Sequence, residues 1–390
     1  MTINNTLHFR KCFAILLLLS LFCCSSCEEY FNPSLEGAEP ILVVEGNITN
    51  LPGPYTVKLL FSSSVYAEDQ QAVENAIVII EEENGEQETL IETEAGTYLT
   101  SVNGIQGMPN RNYKLSIRLT DGTAYESSYQ TIPEDIKIDT VEADLEFQYL
   151  SIDVPNVPGY QFSVSTELGE NDENYFLWLL ESTYKYRSDF TIDHVYDNFT
   201  TQPYPNPTEF MTCWRTDQIN EIYTFKTLDL SEPKVDRLPI NFTRADQQQL
   251  YIRYSLLVKQ FTINKEAYTF WNKLQGQVES QENLYSSQPF QIRGNISNVD
   301  DSKEKVLGFF MAAAQNDKRI FVDPPSGLNL QRELCFADYM AYGFIGLSHP
   351  SEWPIYIYEN ESGEFALSLE QCFDCRMLGG TLTEPDFWEE

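Results

Sequence analysis

The sequence is poor in positive charge, in histidine and in long apolar runs. Against 59 Asp+Glu it has only 25 Lys+Arg, a net charge of −34. A chain of that sign is repelled by phosphate backbones, which excludes general nucleic-acid binding. It is repelled by anionic headgroups too, so any membrane attachment has to be covalent or hydrophobic. Of three histidines, only His194 and His349 lie beyond the first thirty residues. There is no Gly-x-Ser-x-Gly elbow, and the Cys-x-x-Cys at Cys372–Cys375 has no second copy. A zinc site needs about four ligands; beside that motif only Cys213, Cys335 and the two histidines are on offer. No catalytic residue, metal or cofactor is therefore expected. His194 and His349 read as surface histidines. The one enzymatic arrangement left open is a pair of carboxylates at glycosidase separation.

What is there begins at the N-terminus. Arg10 and Lys11 precede the apolar run Phe13–Phe22, which is followed by Cys23, Cys24, Ser25, Ser26 and Cys27. A run of this length falls short of the roughly 20 apolar residues that span a bilayer, and the pattern reads as a signal peptide over residues 1–26. Ser25-Ser26-Cys27 resembles a bacterial lipobox, in which the cysteine is acylated and becomes the first residue. The position three before it is Cys24 rather than the usual leucine, and Cys24 itself would follow Cys23; Cys27 is preferred as the lipid attachment site. An ordinary secretory cut near Ser26 is the alternative. The acidic Glu28-Glu29 after Cys27 resembles a surface-export signal, and residues 27–40 read as a polar tether.

Cysteine usage fits an exported chain. Of eight cysteines, three leave with the signal peptide and Cys27 carries lipid. Cys213, Cys335, Cys372 and Cys375 remain as disulfide candidates in an oxidising compartment. Four cysteines allow three pairings, among which the sequence does not choose.

At 390 residues, with 42% hydrophobic and 13% aromatic composition, the chain has material for about two buried cores. The expected fold class is mainly β. Residues 41–135 carry about seven short strands, the pattern of an immunoglobulin-like β-sandwich. Among them are Ile41–Gly46, Tyr55–Phe61, Ala76–Ile80, Tyr113–Leu119 and Thr123–Tyr129. Asn84-Gly85 and Asp121-Gly122 supply hairpin turns, the first expected as type I′. Glu81–Glu88 reads as a solvated hairpin tip. After Ile132-Pro133 a larger β-rich domain with few helices is expected over 136–390, ending in a disulfide-bearing tail. Its strands include Tyr160–Thr166, Tyr175–Thr183 and Leu250–Gln260. Residues 185–215, rich in Tyr, Phe, Asn and Pro, read as a long loop region. Asn264 is placed to cap a helix bearing Ala267, Phe270, Trp271 and Leu274 on one face.

Several ordered blocks then carry a family resemblance. They are Ile41–Gly46 with Pro52–Val57, Cys213-Trp214, Tyr254–Gln260, Glu266–Tyr268 with Phe270-Trp271, Gly294–Ile296, Val306–Phe310 and Lys318–Phe321. The tail adds Cys372–Arg376, Gly379-Gly380 and Pro385–Trp388. In these the chain resembles the Bacteroidota lipoproteins of domain-of-unknown-function family 4249. The resemblance implies an outer-membrane lipoprotein anchored through Cys27, on the cell surface or the periplasmic face. It also implies a non-enzymatic accessory or ligand-capturing role beside a TonB-dependent receptor barrel. The family supplies no catalytic residues. A surface adhesin, binding glycan or protein independently of a transporter, is the second expectation.

Overall fold

The computed structural model describes residues 40–62, 71–149, 156–168, 173–228, 230, 234–281, 292–328, 335–339, 351 and 353–389. The expected signal peptide, Cys27, the tether before Pro40 and His349 lie outside the described residues.

The strands, in chain order, fall into three groups. The first holds β1 Leu42–Thr49, β2 Thr56–Phe61, β3 Gln71–Ala72, β4 Ile77–Glu82, β5 Gln87–Thr89, β6 Ile91–Glu94, β7 Thr97–Leu99, β8 Asn112–Arg118, β9 Ala124–Ser127 and β10 Gln130–Thr131. The second holds β11 Thr140–Gln148, β12 Val157–Glu167, β13 Tyr175–Arg187, β14 His194–Asp197, β15 Thr200–Pro203, β16 Thr212–Lys226, β17 Lys234–Arg244 and β18 Arg253–Ile263. After helix α1, Lys265–Gln281, come β19 Ile296–Asn298, β20 Val306–Val322, β21 Asp338–Tyr339, β22 Ile355–Glu359 and β23 Phe365–Leu367. The chain is mainly β, as its composition and alternation predict. No helix of the described residues is long and apolar enough to cross a membrane.

One sheet organises the rest. It runs β16-β13-β18-β20-β1-β2-β7-β6, with β3 on β2. Its β1–β2–β7 half faces the sheet β19-β9-β8-β4-β5, and between them lies a core that includes Val44, Val57, Tyr98, Ile80 and Leu115. Its β13–β18 half faces the sheet β11-β12-β17 over Trp178, Phe162, Leu256 and Tyr254. The opposite side of β13, β18 and β20 carries Leu177, Phe261 and Met311, which α1 covers with Ala267, Phe270 and Trp271. This two-sided burial explains the unbroken apolar runs of β13 and β20. Strands covered on both faces need no polar alternation, whereas β8, with one face to solvent, alternates strictly.

The sandwich expected within 41–135 is not completed by those residues. β1 pairs in parallel with β20, Leu42 opposite Val306 and Thr49 opposite Ala313, and β19 pairs with β9. Both of its sheets thus take a strand from beyond residue 290, and the main sheet holds strands from either side of residue 135. The physical reason lies in the close approach of three segments, each carrying one glycine. Gly308 sits at φ +96 with its α-carbon against the Val44 backbone, and Gly294 lies against the Gly308 carbonyl. Asn295 closes the junction, its Oδ1 accepting the Phe310 N–H at 2.9 Å and its Nδ2 donating to the Phe310 carbonyl at 2.8 Å. The matching blocks around 44, 294 and 308 are one packing unit.

The hairpin after β4 also differs from expectation. Asn84 is not at positive φ; only Gly85 is, at +98, and Gly85 N–H donates to the Glu82 carbonyl. The loop is a three-residue turn ending in a left-handed glycine, and Gly122 at φ +94 repeats it. Helix α1 starts as the sequence predicts, Asn264 Oδ1 accepting the Ala267 N–H at 2.9 Å.

Beside that first hairpin, Glu82 is buried, its side chain 3% exposed, and Arg111 Nη1 lies 2.7 Å from its Oε1. The hydrogen bond from Arg111 holds the Glu82 carboxyl below the usual carboxylate range, outweighing its desolvation. A carboxyl depressed on folding stabilises fully above its unfolded pKa, near 4.3, and that contribution is lost as pH falls through the folded value. Glu82→Gln is therefore expected to lower the urea midpoint at pH 7 and to shrink the midpoint's fall between pH 5 and pH 3. An unchanged acid dependence would show that Glu82 is not depressed.

Candidate functional site: an aromatic lobe pinned by two disulfides

The region 185–215, expected as a loop, is largely ordered. β13 runs on to Arg187, and β14 and β15 form a hairpin, Asp197 opposite Thr200. β14 also pairs with β22, so a small sheet β15-β14-β22-β23-β21 stands on the β13–β16 end of the main sheet.

Two bridges fix this lobe to the body. Cys213 bonds Cys375, and Cys335 bonds Cys372. All four disulfide candidates are used, and the two cysteines of the Cys-x-x-Cys take different partners. Cys213, Cys372 and Cys375 are buried. Main-chain bonds follow the same seam: Phe190 N–H to the Cys372 carbonyl at 2.9 Å, and Cys375 N–H to the Phe210 carbonyl at 3.0 Å. Asp374, buried between the two cysteines, accepts from Arg376 Nη2 at 2.7 Å and Nε at 3.0 Å, and the guanidinium lies 3.7 Å over the Phe210 ring. The last residues close the main sheet. Trp214 and Thr381 exchange both backbone hydrogen bonds, Trp388 packs edge-on against Trp214 and Phe321, and Arg319 sits 3.6 Å over Phe387. The tail motifs are structural in this sense.

The lobe's interior is a chain of rings. Phe190 stacks on Tyr358 at 5.0 Å and meets Phe373 at 5.9 Å; Phe373 meets Tyr356, which meets Tyr204. Burial together with the hydrogen bond to Glu209 pushes the Tyr204 hydroxyl up to about 12, so it remains a neutral donor at physiological pH. His194 belongs to this packing. Its ring lies 4.8 Å from Phe365, and Nδ1 is 3.6 Å from a Glu359 carboxylate oxygen. No nucleophile is placed against it among the hydrogen bonds described.

The outer side of the lobe differs. An open depression of about 350 Å3 is lined by Trp353, Pro354, Tyr356, Phe373, Ser368 and Glu370. At its rim stands Phe199, with its ring 4.6 Å from Trp353 in an edge-on arrangement and 66% exposed. Phe199 and Asn198 form the two-residue turn between β14 and β15, at φ +61 and +49. This is a type I′ turn, whose second position ordinarily holds glycine. A bulky residue there costs about 1–2 kcal/mol, and backbone strain of this kind clusters at recognition sites. The turn thus holds an aromatic ring in solvent at an energetic cost that glycine would remove. Sequence reasoning marked the aromatic stretch but not this residue; its signal was an Asn followed by a non-glycine between two short strand patterns.

Among the described residues, no group of three or more His, Cys, Asp or Glu is arranged to hold a metal ion. The chain belongs to the family described as Domain of unknown function (DUF4249), whose model matches residues 28–319 of the 390. That span covers the packing unit at 44, 294 and 308 and the Phe199 turn. It stops before the tail, so the tail motifs and three of the four bridge cysteines lie beyond the matched region. No curated protein matches the chain.

Proposed function

We propose that this chain is an exported lipoprotein, acylated at Cys27 and held to the outer membrane. There it serves as a non-enzymatic accessory or ligand-capturing subunit of a TonB-dependent import system. The signal-like N-terminus and the lipobox-like Ser25-Ser26-Cys27 support the anchor. One acyl chain holds a protein only marginally, so a multiply acylated cysteine suits a stable anchor. The family resemblance is the support for the receptor partner. The observation that carries a binding role is Phe199, exposed and held in a strained turn beside a ring-lined depression. Ligand sites are concave and lined by apolar and aromatic side chains, and large aromatic side chains are prominent among the residues that dominate binding energy. The same rings would stack on sugars, which keeps a glycan-binding adhesin as the second reading.

Phe199→Gly separates recognition from packing. The expected result is a thermal midpoint equal to or above that of the parent, since glycine relieves the turn. Partner recovery from detergent-solubilised membranes is expected to fall at least tenfold. A lower midpoint with undiminished partner recovery would make the ring a packing element and remove the support it gives.

A further inference from the structure

A second depression lies along helix α1. Two adjoining hollows of about 450 and 230 Å3 share Glu266, Arg293 and Gly294. Their charged residues are four bases, Lys265, Lys273, Arg293 and Lys305, and two acids, Glu266 and Glu304. In a chain where acids outnumber bases 59 to 25, that inversion is local and concentrated.

The bases are also available. Many cations sit against carboxylates, as Arg237 does between Glu142 and Asp144 and Arg319 against Glu181. Lys273, Arg293 and Lys305 are exposed, and their side chains form no ion pair or hydrogen bond with any described residue. Lys265 reaches Glu173 at 3.5 Å, an exposed contact of little strength. The two acids are instead tied to neutral donors. Glu266 accepts from Gln130 Nε2 at 2.7 Å, and Gln130 is itself held by Asn264. Glu304 accepts from the Tyr125 hydroxyl at 2.7 Å and from Asn298. The apolar wall is Phe270, half-buried and stacked on Phe309 at 4.9 Å. Glu266, Thr269, Phe270 and Lys273 form one stripe of the helix at three-four spacing, so the ring and the ammonium are presented side by side. The hollow also opens beside the first turns of a 17-residue helix, whose N-terminal dipole adds positive potential.

We propose that this groove binds an organic anion, a carboxylate or sulfate group held by Arg293 and Lys273, on a body whose flat apolar side lies against Phe270. The site is separate from the Phe199 lobe and stands whether or not a receptor barrel is the partner.

The test is calorimetric titration of the full chain in detergent with three probes: digalacturonate, a sulfated heparin-derived disaccharide and neutral cellobiose. One or both acidic probes are expected to bind, more weakly as salt rises from 0.05 to 0.5 M, while cellobiose does not. Which acidic probe binds decides between carboxylate and sulfate. Arg293→Gln and Lys273→Gln are each expected to weaken binding about tenfold or more, as charge-assisted hydrogen bonds dictate. Arg293→Lys should recover part of the loss. Because both side chains are exposed, the thermal midpoint should stay unchanged in these variants. Failure of both acidic probes to bind at millimolar concentration, equal binding of cellobiose, or undiminished affinity in both Gln variants would overturn the assignment.

Discussion

Alanine at Gly308 is expected to cost about 4 kcal/mol or more, beyond the 0.5–3 kcal/mol of ordinary substitutions, or to prevent folding altogether. Two separate terms add. The backbone sits at φ +96, where a side chain is disfavoured by about 1–2 kcal/mol. A Cβ at this position would also lie 1.8 Å from the Val44 carbonyl oxygen and 2.7 Å from its carbon. Both are main-chain atoms of a strand buried at the centre of the nine-stranded sheet, so no side chain can swing aside. The strand cannot retreat without parting β1 from β20, the pairing that completes the sandwich. Gly85 supplies the control. Its φ is +98, almost the same, yet nothing lies within 4 Å of its added Cβ. Gly85→Ala should cost only the conformational term, about 1–2 kcal/mol. Urea midpoints of the two variants measure the difference. Equal losses would show that β1 and β20 do not approach as described.

Removing the Cys213–Cys375 bridge carries the second large effect. It closes a loop of 162 residues, against 37 for Cys335–Cys372. By chain entropy the two are worth at most about 5 and about 4 kcal/mol. The first loss has a further part, because Cys213 and Cys375 are fully buried in the core beneath the aromatic lobe. The pair Cys213→Ala with Cys375→Ala should therefore lower stability more than Cys335→Ala with Cys372→Ala. Replacing Cys372 and Cys375 together breaks both bridges and should exceed either. Peptide mapping without reduction should recover Cys213 with Cys375 and Cys335 with Cys372. A Cys372–Cys375 loop would contradict the described connectivity, and with it the attachment of the lobe.

Much of the β-structure was readable because it is local. Tyr55–Phe61 and Tyr113–Leu119 alternate by the period of a half-buried strand, and each became one. Asn264 announced the helix, whose first-turn donors need a side-chain acceptor. What was hidden is pairing between distant segments. Val306–Ala314 is apolar on every position, since one face serves the sandwich core and the other the helix. Such a run carries no phase, and nothing in it names Leu42–Thr49 as its neighbour. Turn chemistry misled in opposite directions. Asn84-Gly85 carries the type I′ signature, but one further residue in the loop leaves Asn84 at negative φ. The type I′ turn is at Asn198-Phe199, where the glycine that flags it has been replaced by an exposed ring. The cysteines were legible as disulfides but not as pairs, because closeness in sequence at Cys372 and Cys375 says nothing of Cys213 and Cys335 across the fold. The aromatic richness of 185–215 was visible; its division into a packed interior and a rim residue required the sheet.

The central claim is that a Cys27-anchored protein meets an outer-membrane receptor barrel. The most direct measurement tags the C-terminus of the full chain, solubilises membranes gently and identifies what co-purifies by mass spectrometry, with Cys27→Ala alongside. The expected result is a TonB-dependent barrel in near-stoichiometric amount, absent or strongly reduced in the Cys27→Ala sample. A protein recovered alone from the membrane, or one indifferent to Cys27, would contradict it.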